Sequence, residues 1–502
     1  MKFKIIICII GLTLFTLGIK AQTYIGEVLF GTTYQYAKLS ITDSLTTFSL
    51  PYIDKDKKYI ISEQIKTAPD WKVMRDFEVW DFKTTFSKNI IKGALLLNGT
   101  SQPVLFYEQQ HALPEQSLAA YEGVFKDEKG NKAIVYAGNG YLHLMSPFSE
   151  RTMSLKPVEN NMFWSVSGET SVFKNLKNNS FHTLLIQNRF HTEIELTKIP
   201  PTVIEDAWIP VGEDTIYAKL FIPPTGKKAP ACLVLPGGGP TGMANYEYEA
   251  RFFAAQGMVS LVFDKSGNGK SKGPGNFNLQ TFEEKTDQYL QLFSYLQQHP
   301  KVDPTKVGVH GPSEGGRLAL MMAIDEPSVA FVNATAAPIM NMREGQLYAI
   351  QHHVRKRGIV ETDNVSITSL WNEYYQGIID GSILPETIKK ANRFRETYER
   401  LFLPPDYLEI PGSPSKSDLL NDRVAKEAGK IKCPVFLQYG ENDERVAAQK
   451  SIQNFFTYAS KELPVSVKLY PRANHSFMTP EYEISHGYTG DKLQWLKKIG
   501  IL

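Results

Sequence analysis

Three side chains that together could activate a hydroxyl stand far apart in this chain: Ser313, Asp443 and His475. A serine hydroxyl is a weak nucleophile until a base takes its proton. An imidazole serves as that base when a carboxylate fixes its tautomer and steadies its cation. Ser313 sits in Gly311-Pro312-Ser313-Glu314-Gly315, a G-x-S-x-G turn. Val307 to His310 predict a short buried strand before it, and the run from Gly316 predicts a helix after it. A serine at the tip of such a bend is forced out of the backbone line, and the helix N-terminus aims its amides at the same spot. His475 lies in Ala473-Asn474-His475-Ser476-Phe477, just past the strand pattern VSVKLY. Asp443 lies in QYGENDERV, just past the strand pattern CPVFLQYG. Glu441 and Glu444 flank it as competing carboxylates, and Asp443 is the first choice.

A tetrahedral intermediate needs two amide donors. The backbone N–H of Glu314 is placed to be one. The other falls to the loop Gly237-Gly238-Gly239-Pro240 after ACLVLP, from Gly238 or Gly239. Two motifs compete with this reading. Gly269-Lys270-Ser271-Lys272-Gly273 also fits G-x-S-x-G, but no helix pattern follows it, so it reads as a loop. Gly237, Gly239 and Gly242 fit the dinucleotide fingerprint G-x-G-x-x-G, with Asp264 ending the next strand. Pro240 inside the turn argues against that use, and Asp264 reads instead as the start of the loop DKSGNGKSKG.

The elements that must position these residues change character along the chain. Residues 22–200 read as all-β: short alternating or aromatic runs such as YIGEVLF and KAIVYAG, separated by turn signals at Asn98-Gly99, Gly138-Asn139-Gly140 and Asn178-Asn179. A small barrel or sandwich is expected, or two such units in tandem. Trp71, Trp80, Tyr121, Phe163 and Trp164 are either core or a ligand-binding face. Ile199-Pro200-Pro201 marks a boundary. Over 201–502, unalternating apolar strands (ACLVLP, MVSLVFD, KVGVHG, CPVFLQYG) interleave with amphipathic helices, which predicts a doubly wound, mostly parallel sheet. From about 338 to 430 the strand signal stops and helical patterns take over, which predicts a cap above the strand C-terminal ends.

Composition narrows the class. Lys plus Arg number 55 against 53 for Asp plus Glu, so no charge excess points to nucleic acid or an anionic membrane. Residues 1–21, with Lys2 and Lys4 before the apolar run Ile5 to Leu17, read as a signal peptide cut after Ala21. This predicts an exported protein, periplasmic or secreted, without stable membrane insertion after cleavage. Cys232 and Cys433 then remain, both in apolar strand contexts, and read as buried free thiols.

With these pieces in place, the segment from about Thr202 to Leu502 resembles the α/β-hydrolases, close to exported bacterial serine esterases and prolyl-oligopeptidase-like hydrolases. LVLPGGGP, FDKSGNGKS, VGVHGPSEGGRLAL, FLQYGENDERV and YPRANHSF carry the resemblance. The order Ser, Asp, His is the one such a sheet mounts, unlike chymotrypsin-like or subtilisin-like enzymes. The resemblance implies a serine hydrolase with Ser313 as nucleophile, Asp443 as acid and His475 as base. Two positions depart from it: Pro312 stands where many relatives have His, and Ser266 where many have Arg. The expected activity is cleavage of a small-molecule carboxylic ester or other acyl substrate through an acyl-enzyme, with no cofactor or metal. A peptidase on the same triad is the alternative, and a non-catalytic binding protein of the same fold a further one.

Overall fold

The computed structural model describes residues 22–502, except 31–32, 55–56, 63–64, 66–69, 76–77, 150–151, 240–241, 383, 399–400, 402, 405–414 and 481–483. The expected signal peptide, residues 1–21, lies outside the described residues. Two compact units divide the chain. The first holds the described residues up to Leu113 with Leu155–Val172 and Gln187–Thr192. The second holds Pro114–Ser154, Phe173–Ile186 and Glu193–Leu502.

The N-terminal region is all β, as expected. Eight antiparallel strands between Gln22 and Glu108 form one sheet, with Tyr59–Ile61 at one edge and Asp70–Arg75 at the other. Period-two alternation builds its core: along Asp70–Arg75, Trp71 and Val73 turn inward while Asp70, Lys72 and Met74 face out. Trp71 stacks flat on Phe82 with centroids 3.8 Å apart. At the hairpin tip Asn98 and Gly99 both take positive φ, 49° and 79°, as a tight two-residue turn requires. Strands between Gly123 and Lys198 close into an eight-stranded barrel, in which Gly123–Lys126 pairs with both Lys132–Gly138 and Glu193–Lys198. Trp71, Trp80, Tyr121, Phe163 and Trp164 are all buried. They are core, and the ligand-face alternative for them falls.

The remaining sheet has eight strands: β1 (Val203–Val211), β2 (Asp214–Ile222), β3 (Ala229–Val234), β4 (Val259–Phe263), β5 (Val302–Pro312), β6 (Val332–Thr335), β7 (Val435–Gly440) and β8 (Val465–Tyr470). Their order is β1-β2-β4-β3-β5-β6-β7-β8. β1 and β2 form an antiparallel hairpin, β2 joins β4 antiparallel, and every later pairing is parallel. Every residue of β4, β6 and β7 is buried, which is why those segments show no period-two alternation of apolar and polar residues. The α-helices described around this sheet are α1 (Glu247–Ala255), α2 (Phe282–Gln297), α3 (Glu314–Asp325), α4 (Met342–Lys356), α5 (Glu361–Asp380), α6 (Pro385–Thr397), α7 (Lys416–Leu420), α8 (Arg423–Glu427), α9 (Ala448–Tyr458) and α10 (Tyr488–Lys498).

Among the described residues of 338–430 there is no strand, and α4 to α8 form the helical insertion. It has its own core, with Val354, Ile367, Trp371 and Tyr374 buried together. It is also tied to the body below: Asp418 on α7 accepts the backbone N–H of Phe282, in the first turn of α2, at 2.9 Å.

Candidate active site

Parallel strands all end at one edge of a sheet. Ser313 directly follows β5, Asp443 lies three residues beyond β7, and His475 five beyond β8, so the topology brings all three to that edge. Ser313 itself holds φ 54° and ψ −120°. A non-glycine residue pays about 1–3 kcal/mol for such a conformation. It is held by the Ser313 N–H donating to Thr335 O on β6 at 2.7 Å, and by Gly316 and Arg317 donating to Ser313 O at 3.0 and 3.1 Å. The bend also needs bare backbone on both sides. A Cβ on Gly311 would lie 2.4 Å from the Gly315 carbonyl, and one on Gly315 2.6 Å from Pro236 O.

Asp443 and His475 are joined: His475 Nδ1 lies 3.0 and 2.9 Å from the two Asp443 carboxylate oxygens. Asp443 is 2% exposed. Its Oδ1 also accepts the N–H groups of Arg445 and Val446, both at 2.8 Å, which fixes the carboxylate plane. Of its two competitors, Glu441 accepts the Arg472 N–H and Glu444 accepts the His475 N–H. Both brace the loops, and neither carboxylate has a hydrogen bond to the imidazole. From the helical insertion, Tyr348 donates its hydroxyl to the Asp443 carbonyl at 2.9 Å.

The glycine loop lies against the Ser313 turn. A Cβ on Gly237 would stand 3.9 Å from Ser313 Cβ, and one on Gly238 3.3 Å from Glu314 Oε2, whereas one on Gly239 would meet nothing within 4 Å. Glu314 opens α3, where the first N–H groups have no acceptor inside the helix. A charge cluster surrounds this pair of segments. Lys265 Nζ donates to Gly237 O at 2.7 Å and Gly239 O at 2.5 Å. Lys285 Nζ donates to Glu314 Oε1 at 2.9 Å. Burial pushes the Lys265 ammonium down to about 8, partly opposed by the Glu314 carboxylate.

Neither competing motif keeps its alternative use. Asp264, which would hold a ribose in a dinucleotide site, instead accepts the N–H of Met243 at 2.9 Å and of Lys270 at 2.8 Å. Ser271, of the second G-x-S-x-G, donates to Asp264 O at 2.8 Å and accepts the Tyr217 N–H at 3.0 Å. Ser266, the departure from the family pattern, donates to buried Asp214 at 2.7 Å and accepts from Gln288 at 2.7 Å. Cys232 and Cys433 are free and buried. Sequence reasoning missed Lys265, Asp214 and Tyr348. Only Lys265 carried a local signal, a cation immediately after a buried strand in the loop already under scrutiny. Among the described residues no group of three or more His, Cys, Asp or Glu converges as a metal site.

The strand order and the strained turn define an α/β-hydrolase. Residues 227–481, just over half of the chain, match the family described as serine aminopeptidase, S33, and the chain belongs to that family. That family is one of serine hydrolases. Dipeptidyl peptidase 8 of Mus musculus is 29% identical over 137 residues, 25% of this chain and 15% of that protein. Acyl-coenzyme A thioesterase 3 of Mus musculus is 33% identical over 136 residues, 26% of this chain and 28% of that protein. The chain thus spans under a third of either relative's length. A solved proline iminopeptidase from Mycobacterium smegmatis superposes with a TM-score of 0.38 at 18% identity, over 59% of this chain and 98% of that one.

Proposed function

We propose that this hydrolase cleaves carboxylic esters through an acyl-enzyme, with Ser313 as nucleophile, His475 as general base and then acid, and Asp443 as its partner. The observation that carries the reading is the hydrogen-bonded pair of buried Asp443 and half-buried His475 at the same sheet edge as a serine on a strained strand-to-helix turn. Ser313 attacks the acyl carbon while His475 takes its proton and passes it to the leaving alcohol. Asp443 holds Nδ1–H so that Nε2 is free for that exchange. Water repeats the steps on the acyl-enzyme, and Ser313 leaves with its proton restored. The peptidase reading draws support from the S33 family description and from the dipeptidyl peptidase relative, and uses the same residues.

Initial rates on nitrophenyl esters of rising chain length, beside amino-acid nitroanilides, separate the two. Ester turnover that falls by about 10⁴-fold or more in Ser313→Ala supports the esterase. Anilide turnover lost in the same variant moves the assignment to a peptidase. Equal activity in both proteins removes Ser313 as nucleophile. For the N-terminus we propose export with cleavage after Ala21, which N-terminal sequencing of the exported protein reads directly.

A further inference from the structure

Lys265 is 1% exposed, yet its ammonium bonds to two backbone carbonyls and lies 4.5 Å over the Phe277 ring. Burying an ammonium is expensive, and an apolar side chain of the same length would fill the site without that cost. Stability alone does not explain a lysine here. Its neighbours on both sides are pinned: Asp264 by two backbone N–H groups, Ser266 by Asp214 and Gln288. The ammonium is therefore delivered to a fixed point, within hydrogen-bond reach of both Gly237 O and Gly239 O.

In a trans peptide the C=O and the following N–H point in opposite directions. Holding Gly237 O toward Lys265 turns the Gly238 N–H away from it, and both glycines pack on the nucleophile turn: a Cβ on Gly237 would lie 3.3 Å from Pro312 O and one on Gly238 3.3 Å from Glu314 Oε2. The second bond, to Gly239 O, aims no donor, because the next residue is Pro240. It anchors the far end of the loop. Without these bonds, glycine peptides rotate at little steric cost, and a Gly237 carbonyl turned inward would oppose the developing negative charge. Glu314 completes the arrangement: its backbone opens α3, and its carboxylate pairs with Lys285 and counters the charge of Lys265.

We infer that Lys265 is a positioning residue that locks the Gly237–Gly238 peptide, so that the Gly238 N–H is the second donor to the oxyanion. The inference rests on the serine-hydrolase reading of Ser313 but not on the substrate, so its test uses the rate at which a fluorophosphonate labels Ser313 as well as ester kinetics.

Lys265→Met should slow labelling and lower kcat by about 10- to 100-fold, with KM held within about threefold. Affinity for an arylboronate, which forms a tetrahedral adduct, should fall in parallel. Lys265→Gln, which keeps two N–H donors, should recover part of the loss. A Lys265→Met enzyme within about threefold of wild type, a loss carried by KM alone, or a Lys265→Gln enzyme no better than Lys265→Met overturns the inference. A second measurement needs no variant. In wild type, arylboronate binding should move the Gly238 amide proton downfield and leave Gly239 in place, and the reverse pattern also overturns the inference. Wild type that is labelled but cleaves no ester defeats the esterase reading and leaves the Lys265 test intact. Wild type that is not labelled defeats both.

Discussion

The antiparallel sheet of residues 22–108 and the α/β sheet both exclude water, but they fill their interiors differently. The first is packed with rings: Phe48, Trp71, Trp80, Phe82 and Phe106 are buried together, and Trp71 Nε1 donates to Thr84 at 3.0 Å. Its ion pair of Asp54 with Arg75, at 3.0 Å, is partly exposed. The α/β sheet carries charge through its centre. Lys492 on α10 meets Glu249 on α1 at 2.8 Å, with side chains 1% and 4% exposed. From there a row of polar side chains crosses four strands. His310 Nδ1 lies 2.8 Å from Asn333 Oδ1, Asn333 donates to Gln438 at 2.9 Å, and Gln438 to the Tyr470 hydroxyl at 2.8 Å. Apolar burial is enough to hold a scaffold. The polar row costs more, and each of its bonds exists only when β5, β6, β7 and β8 share this alignment. The same alignment sets the spacing of Ser313, Asp443 and His475.

Removing a single charge should separate catalysis from stability. Asp443→Asn should lower kcat by about 10³- to 10⁴-fold, because the imidazole loses its tautomer control. The amide oxygen can still accept from Arg445 and Val446, so the unfolding midpoint should stay close to wild type. Lys492→Met reverses the pattern. It takes the ammonium from buried Glu249 and should cost about 3–5 kcal/mol of stability, read as faster hydrogen exchange across β3 to β8 with exchange in residues 22–108 unchanged. Trp71→Ala should cost a similar amount, about 3–5 kcal/mol, with the exchange confined to residues 22–108. Equal loosening of both regions in Lys492→Met would show that the ion pair does not stabilise the α/β sheet selectively.

Acid gives a smaller and graded test. Burial by itself would raise the Glu249 carboxyl, but Lys492 and then His310 hold it well below its ordinary value of 4.5. A carboxyl lowered in the folded state contributes fully above its unfolded value, and the contribution is lost as pH falls below it. The hydrogen bond from Arg75 likewise lowers Asp54, but that group is more exposed. Between about pH 5 and pH 3, exchange in the α/β region should therefore accelerate more than exchange in residues 22–108. Equal acceleration would assign the acid response to other carboxylates.

The sequence made the α/β sheet, the helical insertion and the Ser313 turn legible because each rests on a local pattern: an unbroken apolar strand, a helical period, or a small-residue bend. Asp443 and His475 were legible because loops after strands of one parallel sheet must share an edge. Strand pairing was not. The closure of residues 123–198 into a barrel depends on Gly123–Lys126 meeting Glu193–Lys198, about which neither segment says anything. Nor could the chain reveal that His310, Asn333, Gln438 and Tyr470 form one row, since that depends on register. Lys265 was hidden for a related reason: its importance lies in which carbonyls it reaches, and those belong to another loop.

The position of β8 has a consequence for the time course of synthesis. The Ser313 turn needs β5, α3 and β6, all made by Thr335, but the base proposed for it arrives only with His475. That is 475 − 313, or 162 residues after Ser313. At about 5–20 residues per second a nascent chain spends roughly 8–30 s with its serine made and its base not yet assembled. On the proposed mechanism, no fragment that ends before His475 can act as the enzyme.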